Sequence, residues 1–203
     1  MPRLFASRKS RVLLGVSLAV AIAVPATCAW LFRTRVFTGD PGLDAKTYVA
    51  PSRIPGAGLG LFAARDLKQD EVLAEMGGRL VFEARVPRAK RGYLFAAPSC
   101  ARRDLWPFDA LDGTVHGGRA SKINFAPRRI NGRETGFQNA RGRTMCRRPY
   151  IYFAAERDIA RDEEILTSYG PIYDYDFMAF PAVRDHFCRL ADLDCSTRFE
   201  WEP

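Results

Sequence analysis

Tyr169 is the residue that the sequence best places for chemistry. The run Ile-Leu-Thr at 165–167 predicts a short strand, and Gly170 lets the backbone leave the sheet directly after the tyrosine. A phenol at a strand end is held rigidly while its hydroxyl points into the cavity beyond, which suits a catalytic or orienting group. The alternative is a core tyrosine whose hydroxyl is satisfied by a polar neighbour.

Glycines at 56, 58 and 60 are a second feature with chemical consequences. They lie in the block 52–67, where alternating small and large residues predict a strand pair joined by a turn. A backbone without side chains can approach a ligand closely and present its N–H and C=O groups to it. A dinucleotide-binding fingerprint is excluded, because the third glycine of Gly-x-Gly-x-x-Gly is missing and the following Leu-Phe-Ala run is typical of a strand.

Asn124 is a third candidate, since its amide can donate and accept hydrogen bonds within the predicted buried turn 121–126. It belongs to a basic segment, 119–148, that holds nine bases and one acid. Such a segment is usually a solvated face, and the lack of nucleic-acid-binding motifs argues against a nucleic-acid partner. Acidic protein segments are an equally good target.

The elements that must position these residues are mainly strands. Short aromatic and β-branched runs predict them at 150–155, within 70–82, at 93–95 and at 106–110. Residues 84–92 are predicted to form a basic loop. Val183–Leu193 predicts one short helix that packs the aromatic C-terminal end onto the core. The predicted fold class is therefore mainly β, with short helices.

The net charge of +8 belongs mostly to the N-terminus of this 203-residue chain. Six bases precede the first acid, Asp40, and the remainder carries 25 bases against 23 acids. The length and the 47% apolar composition indicate one globular domain with a core. The positive net charge therefore does not indicate that this domain binds nucleic acid.

Residues 12–32 contain no charged residue and are long enough for a helix that crosses a bilayer; four bases precede them. We favour an uncleaved, single-pass signal anchor, because the apolar run continues through 30–32 to Arg33. A signal peptide cleaved after Ala29 and an organelle presequence are the alternatives. The protein is thus predicted to be membrane-associated through 12–32, or secretory or organelle-targeted.

The five cysteines show no Cys-x-x-Cys spacing. They predict free buried thiols, or two disulfides if the domain lies outside the cytoplasm. A zinc site built from His186, Cys188 and Cys195 is disfavoured by its irregular ligand spacing, so we expect no metal.

Three blocks taken in order resemble the SET-domain methyltransferases: Gly58-Leu59-Gly60-Leu61-Phe62-Ala63, then Ile123-Asn124, then Glu163 to Gly170. The resemblance covers about residues 50–173. It implies a β fold of several small sheets with knot-like threading near the active site. It also implies transfer of a methyl group from S-adenosylmethionine, usually to a protein lysine. The predicted organisation is a targeting segment 1–33, a linker 34–47, a SET domain 48–173 and an aromatic extension 174–203 on its core.

The resemblance also assigns site residues. Gly58, Leu59 and Gly60 would line the methyl donor through their backbone, and Tyr169 would be the catalytic tyrosine. Asn124, with Phe125 beside it, would hold the adenine or amino-acid end of the donor. Asn139 is similar to the asparagine that follows the family's Asn-His motif.

Two departures from the family pattern fall near the expected site. Phe125 stands where the family usually has a histidine, and Met76 stands where many members carry a tyrosine in the wall of the lysine channel. The tail also lacks the three-cysteine zinc cluster of some members, and its aromatic residues would close the channel instead. We therefore expect a divergent donor site on an unchanged fold.

The leading hypothesis is a protein-lysine N-methyltransferase with Tyr169 at the active site. Methyl transfer needs alignment and desolvation of a neutral amine, and no metal or general-base carboxylate. The alternative is a non-catalytic SET-like interaction module whose basic 119–148 segment holds an acidic protein partner.

Overall fold

A computed structural model describes residues 36–96, 108–145, 151–170 and 173–203. By its contacts the chain divides into Met1–Val36 and Phe37–Pro203, and the architecture below is that of the second unit. The predicted targeting segment 1–33, with Cys28, lies outside the described residues, as do Cys100, Cys146 and the first two residues of the strand predicted at 106–110. None of the helices in the described ranges is long and apolar enough to cross a membrane.

The described residues form short strands joined by turns and 3₁₀ helices. The strands are β1 (Val36–Phe37), β2 (Thr47–Pro51), β3 (Leu59–Ala63), β4 (Val72–Glu75), β5 (Gly78–Val81), β6 (Leu94–Ala96), β7 (Ala110–Asp112), β8 (Asn124–Phe125), β9 (Arg129–Ile130), β10 (Arg133–Glu134), β11 (Ala140–Thr144), β12 (Ile151–Ala155), β13 (Leu166–Thr167) and β14 (Trp201–Glu202). The 3₁₀ helices are η1 (Pro41–Lys46), η2 (Glu83–Arg85), η3 (Arg88–Tyr93), η4 (Arg119–Lys122) and η5 (Asp176–Ala179), and the α-helix is α1 (Pro181–Leu190). The mainly-β prediction with small sheets is confirmed, while the knot-like threading stays a prediction.

Strand β3 carries the glycine-rich block into the core. It pairs antiparallel with β2, and residues 163–165 hydrogen-bond along its other edge through Ala63 and Leu61. The block was predicted to form both strands of a pair, and this is wrong because its first half is a turn. Positive φ angles at Gly56 (78°) and Gly58 (72°) take the chain out of the extended conformation there.

The other two blocks of the family resemblance, Ile123-Asn124 and Glu163 to Gly170, meet in a small parallel sheet. Strand β13 pairs with β8 so that Leu166 lies opposite Asn124 and Thr167 opposite Phe125. This pairing joins residues more than forty positions apart, and it brings the segment that ends in Tyr169 beside the asparagine.

Asn139 fixes β13 from the other side. Its side chain is 1% exposed, and its amide nitrogen donates to the Glu164 carbonyl (2.9 Å) and to the Glu163 carboxylate (2.9 Å). Its amide oxygen accepts from the Leu166 N–H at 2.9 Å. A buried amide with every bond satisfied is a rigid support, so Asn139 holds the chain just before Tyr169.

The strands predicted within 70–82 are present, but they are not partners. Strand β4 pairs antiparallel with β12, which pairs on its other edge with β11. Strand β5 pairs with β7, and β7 in turn with β6. The Gly77-Gly78 break therefore sends the chain from one sheet into another. The basic loop predicted at 84–92 is instead largely 3₁₀ helix, in η2 and η3.

Helix α1 begins at Pro181, a residue favoured in the first helical turn, and it ends three residues before the predicted Leu193. Asp192 follows with φ of 53°, a left-handed conformation that does not continue a helix. Cys188 and Cys195 form a disulfide. Sulfurs in a disulfide cannot bind zinc as thiolates. The structure therefore does not support the zinc site considered for His186, Cys188 and Cys195.

Two apolar clusters form the core of the described chain. The first packs strands β3, β4, β7 and β12 around residues such as Leu61, Leu73 and Phe153. The second contains Phe125 and residues of the C-terminal part of the chain, and Phe187, Met178 and Ile130 are almost fully buried in it. The candidate site lies on this second cluster.

Candidate active site

The glycine turn, Asn124 and Tyr169 surround one cavity of about 530 Å³. Its walls come from the turn before β3, from η3, from η4 with β8, and from the C-terminal residues. The described residues that line it are Ile54, Pro55, Gly56, Ala57, Gly58, Leu59, Gly92, Tyr93, Ser121, Lys122, Asn124, Phe125, Tyr169, Tyr173, Phe177, Phe180 and Val183. Five of the six residues predicted to bind the donor or to catalyse therefore line this cavity: Gly58, Leu59, Asn124, Phe125 and Tyr169.

Gly60 is the predicted site residue that does not line this cavity. A Cβ at this position would lie 2.4 Å from Oε1 of Glu164, so Gly60 faces a buried carboxylate. At Gly56 and Gly58, by contrast, a Cβ would meet no atom within 4 Å. The space beside these two glycines is open, and their backbone is accessible to a ligand in the cavity.

Tyr169 reaches the cavity from the end of β13. Its hydroxyl donates to the Ile123 carbonyl at 3.0 Å, and its ring lies 4.7 Å from Tyr173 and 5.9 Å from Phe125, centroid to centroid. Burial among these rings raises the pKa of Tyr169 well above its ordinary value. The phenol is therefore a protonated hydrogen-bond donor at neutral pH, and it is no general base.

A second, narrow cavity of about 50 Å³ adjoins the first. The two cavities share Gly92, Tyr93, Ser121, Tyr169 and Tyr173 as lining residues. Apolar and aromatic side chains complete the narrow one, among them Leu94, Phe95, Ile123 and Phe153. Tyr169 thus lines both the larger cavity and the small, mostly apolar one.

Tyr93 is a site residue that sequence reasoning missed. The sequence predicts a strand that begins at Tyr93. In the structure this residue is 42% exposed and lines both cavities. The structure places Met76, for which an altered channel wall was predicted, in the first core cluster at 2% exposure. Met76 is absent from the described linings of both cavities, whereas Tyr93 lines the narrow one together with Tyr169 and Tyr173.

Asn124 is tied to the glycine turn. Its amide nitrogen donates to the Leu59 carbonyl at 3.1 Å and to Oε1 of Glu164 at 3.2 Å. The same carboxylate accepts from the Ser52 hydroxyl (2.6 Å) and from the Arg53 N–H (2.9 Å). Glu164, only 4% exposed, therefore connects the glycine turn to the Asn124 strand. The sequence did not indicate this connecting role of Glu164, because the residue follows Glu163 in what reads as an ordinary acidic turn.

Phe125 has an apolar environment. It is 2% exposed, and its ring contacts Tyr175, Phe177 and Trp201 at centroid distances of 4.6, 5.8 and 5.7 Å. A histidine here would bury a polar ring among aromatic ones, whereas phenylalanine packs with them. Phenylalanine in place of the usual histidine is therefore compatible with the aromatic C-terminal residues that cover this position.

Much of the charge on the basic segment 119–148 is paired within the chain. Of its seven described bases, five form ion pairs: Arg119 with Asp44, Arg128 with Glu156, Arg129 with Glu134 and Glu202, and Arg141 and Arg143 with Asp70. These pairs reduce the positive charge that this face offers to a partner.

Comparison with solved structures finds similar chains, each with a TM-score below 0.5. A Chaetomium thermophilum polycomb repressive complex 2 structure matches at 24% identity and a TM-score of 0.48, covering 63% of this chain and 15% of that one. Another structure of that complex, bound to S-adenosylmethionine, matches at 22% identity and 0.47, covering 70% and 16%. The methyltransferase domain of human PR domain-containing protein 2 matches at 17% and 0.47, covering 64% and 80%. The chain thus spans about 15% of the length of the polycomb chain it matches.

A search of curated proteins finds no match. The SET domain profile matches residues 58–170, more than half of the chain. That range begins at the glycine turn and ends one residue after Tyr169, so it contains the three blocks that meet at the cavity. The chain belongs to the SET-domain family.

Proposed function

We propose that this protein transfers a methyl group from S-adenosylmethionine to the side-chain amine of a protein lysine, with Tyr169 at the active site. The observation that carries the proposal is the pair of adjoining cavities that share Tyr93, Tyr169 and Tyr173. One is large enough for a cofactor and the other is narrow and apolar. Two reactants that enter from different sides would meet at Tyr169.

The larger cavity fits the methyl donor of the SET family. Its volume of about 530 Å³ falls in the usual range for small-molecule sites. The open backbone at Gly56 and Gly58 offers main-chain groups, and the exposed side chains of Leu59 and Phe180 offer apolar surface for a base. Asn124 contributes by holding the Leu59 carbonyl in place, and Phe125 forms an apolar wall.

The narrow cavity suits the end of one extended side chain. Its aromatic and aliphatic lining would desolvate a lysine amine, whose pKa in water is about 10.4, and desolvation favours the neutral form. When bound, the donor supplies a methyl group on a positive sulfonium, which is open to in-line attack by that amine. The lysine proton leaves to solvent before transfer, so the chain needs no carboxylate base.

Tyr169 would orient the reaction. Its hydroxyl is held by the Ile123 carbonyl and its raised pKa keeps it protonated, so it acts through hydrogen bonding and through the position of its ring. Asn139 and the β13–β8 pairing fix the strand that carries it. The alternative, an interaction module for acidic proteins, draws less support because most described bases of 119–148 already have acidic partners within the chain.

Binding of the donor is the first test. Equilibrium dialysis of the full chain against labelled S-adenosylmethionine should give saturable binding with one site per chain. Absence of binding would favour the interaction module.

Transfer is the second test, and Tyr169→Phe is its variant. We expect the rate of methyl transfer to a lysine-containing peptide library, followed by mass spectrometry, to fall by about 100-fold or more, as for other single donors at reacting centres. Tyr48→Phe is the matched control, because it removes a phenol hydroxyl that bonds Asp162 on an exposed surface. Unchanged transfer by Tyr169→Phe would show that the hydroxyl has no part in the reaction.

A further inference from the structure

A second concave surface lies on the C-terminal extension, apart from both cavities. It is an open groove of about 490 Å³, here called the aromatic groove, and its described lining residues are Tyr175, Asp176, Met178, Ala179, Phe199 and Trp201. None of these residues lines the larger or the narrow cavity. The aromatic groove is therefore a separate candidate site, which the proposed reaction does not use.

Two rings of the aromatic groove are held at an angle to one another. The ring centroids of Tyr175, just before η5, and Trp201 of β14 lie 4.9 Å apart, and the ring planes meet at 67°. The Tyr175 hydroxyl donates to the Gly170 carbonyl at 2.8 Å, and Trp201 is paired with Ile130 of β9. Phe199, packed on the second core cluster, supplies a third ring. All three aromatic residues are partly exposed, so ring surface of defined orientation is accessible to a ligand.

The charge at the aromatic groove comes from Asp176. This residue is exposed at the start of η5, and its carboxylate forms no hydrogen bond or ion pair within the described part of the chain. Among the described residues, the cation–π contacts are at Phe62, Phe82 and Tyr93, and none is at a ring of the groove. The extension 174–203 holds seven acids and three bases. The groove thus offers ring faces and a negative charge to a cation from another molecule.

Aromatic rings beside a carboxylate suit a methylated ammonium group. The negative face of each ring attracts the cation, and aromatic cages of this kind recognise quaternary ammonium ligands and methyl-lysine. An unmethylated ammonium is strongly hydrated and loses hydrogen bonds to water when it lies against apolar rings. Each added methyl group removes one N–H donor and adds apolar surface, which gains free energy on burial. The aromatic groove is therefore expected to prefer a methylated amine to an unmethylated one.

We propose that the aromatic groove binds the methylated side chain of a protein lysine, so that the chain carries a second site for the class of product that it forms. The choice of lysine as the carrier rests on the proposed function, whereas the preference for a methylated ammonium rests on the groove itself. One layer of rings separates the groove from the larger cavity, because Tyr175 contacts Phe125 at a centroid distance of 4.6 Å. A protein segment held in the groove by one methylated lysine would raise the local concentration of its other lysines at the same chain.

Isothermal titration of the full chain with lysine peptides tests the inference. The peptides are alanine pentapeptides with one central lysine and blocked ends, and the lysine carries zero, one, two or three methyl groups. Choline is the fifth ligand and represents a free quaternary ammonium. We expect the trimethyl peptide to bind about fivefold or more tighter than the unmethylated one. It should also bind more tightly than choline, because a groove of about 490 Å³ has room for peptide atoms beside the ammonium group.

Phe199→Leu separates an aromatic contact from a merely apolar one, because leucine keeps apolar packing and removes the ring face. We expect it to weaken binding of the trimethyl peptide about fivefold to thirtyfold, and Phe199→Tyr, which keeps a ring, to retain most of the affinity. Asp176→Asn should weaken the same binding about threefold or more, since it removes the negative charge at the groove. Asp185→Asn is the matched control, because this carboxylate pairs with Arg184 and lies outside the groove lining.

Two results would overturn the inference while the proposed function stands. One is equal affinity for the unmethylated and trimethyl peptides; the other is wild-type affinity of Phe199→Leu for the trimethyl peptide, which would mean that it binds elsewhere. Choline that binds as tightly as the trimethyl peptide would overturn the choice of lysine. Methyl transfer by Phe199→Leu should equal that of the wild type, because Phe199 lines neither cavity.

The proposed function can also fail while the aromatic groove stands. Methyl-dependent peptide binding by a chain that binds no S-adenosylmethionine would be that result, and the groove would remain a site for methylated ammonium. Circular dichroism and thermal unfolding of each variant establish that the comparison is between folded proteins.

Discussion

Glu164 shows how one residue can set the shape of a ligand site without entering it. Its carboxylate is buried and accepts hydrogen bonds from Ser52, Arg53 and Asn124. A buried carboxylate needs such donors, because burial without them costs several kcal/mol. The glycine turn and the Asn124 strand therefore share one anchor.

Gly60 is required at its position because of this anchor. Gly60→Ala would place a methyl group 2.4 Å from Oε1 of Glu164 and 3.2 Å from the Phe62 ring. Since the carboxylate is fixed by three donors, we expect a loss of about 1–3 kcal/mol in the free energy of unfolding, the usual cost of overpacking. Urea unfolding measures it.

Gly142→Ala is the control for this substitution. Gly142 lies in strand β11, and a Cβ there would meet the Phe153 ring at 3.5 Å, an ordinary contact. It should change stability by less than about 0.5 kcal/mol, as surface substitutions usually do. Equal effects of the two substitutions would mean that the carboxylate can move away from Gly60.

At the scale of elements, the first turn of helix α1 and the residue before it form part of the wall of the site. Phe180 and Val183 line the cavity, while Phe187 is fully buried and packs on Phe137 with ring centroids 5.9 Å apart. The Cys188–Cys195 disulfide closes the end of the helix onto the following loop. The C-terminal extension is thus attached to the rest of the domain by packing, and the disulfide closes a loop within the extension itself.

Loss of the disulfide should destabilise this wall. We expect the Cys188→Ser, Cys195→Ser double variant to lose about 2–3 kcal/mol in the free energy of unfolding, the chain-entropy contribution of a short closed loop. Thermal unfolding of the oxidised wild type, the reduced wild type and the variant measures this. If the oxidised and reduced wild type unfold at the same temperature, the link makes no contribution to stability.

At the scale of the whole molecule, Glu71 connects segments that belong to different sheets. Its carboxylate pairs with Arg65 after β3 and with Lys46 (3.2 Å) at the end of η1, and it accepts from the Lys68 N–H. The hydrogen bond from Arg65 is the main cause that lowers the pKa of Glu71 to about 2. The ionised form is thus favoured by the folded state.

This pKa shift predicts a pH dependence with a defined sign. Because the pKa of Glu71 is lower in the folded than in the unfolded chain, its contribution is complete above about pH 4.5 and disappears as the pH falls through about 2. Glu71→Gln should therefore unfold more easily than wild type at pH 7, by about 1–2 kcal/mol after allowance for its partial exposure, and the difference should shrink below pH 4.

Chemical denaturation at several pH values measures this difference. Glu134→Gln is the control, since Glu134 pairs with Arg129 at 73% exposure and should contribute little at any pH. A stability difference for Glu71→Gln that is constant from pH 7 to pH 3 would contradict the role of its ionised form.

The sequence by itself determined the family, the mainly-β class and the place of the strand before Tyr169. These are local properties: the run at 151–155 is a strand, and the glycine turn and the Tyr169-Gly170 end stand at the positions that their residue types require. Alternation, β-branching and glycine act over a few residues, so they can be interpreted without knowledge of the fold.

Only the tertiary structure decided which residues face one another. Glu164 bonds Ser52 across 112 positions, Tyr169 bonds Ile123 across 46, and Lys122 lies over Tyr93. The same holds for the strand partners of β4 and β5 and for the cysteine pair. Such contacts depend on how the sheets pack, and the free energy that selects one packing is summed over the whole core, so no short stretch of sequence contains it.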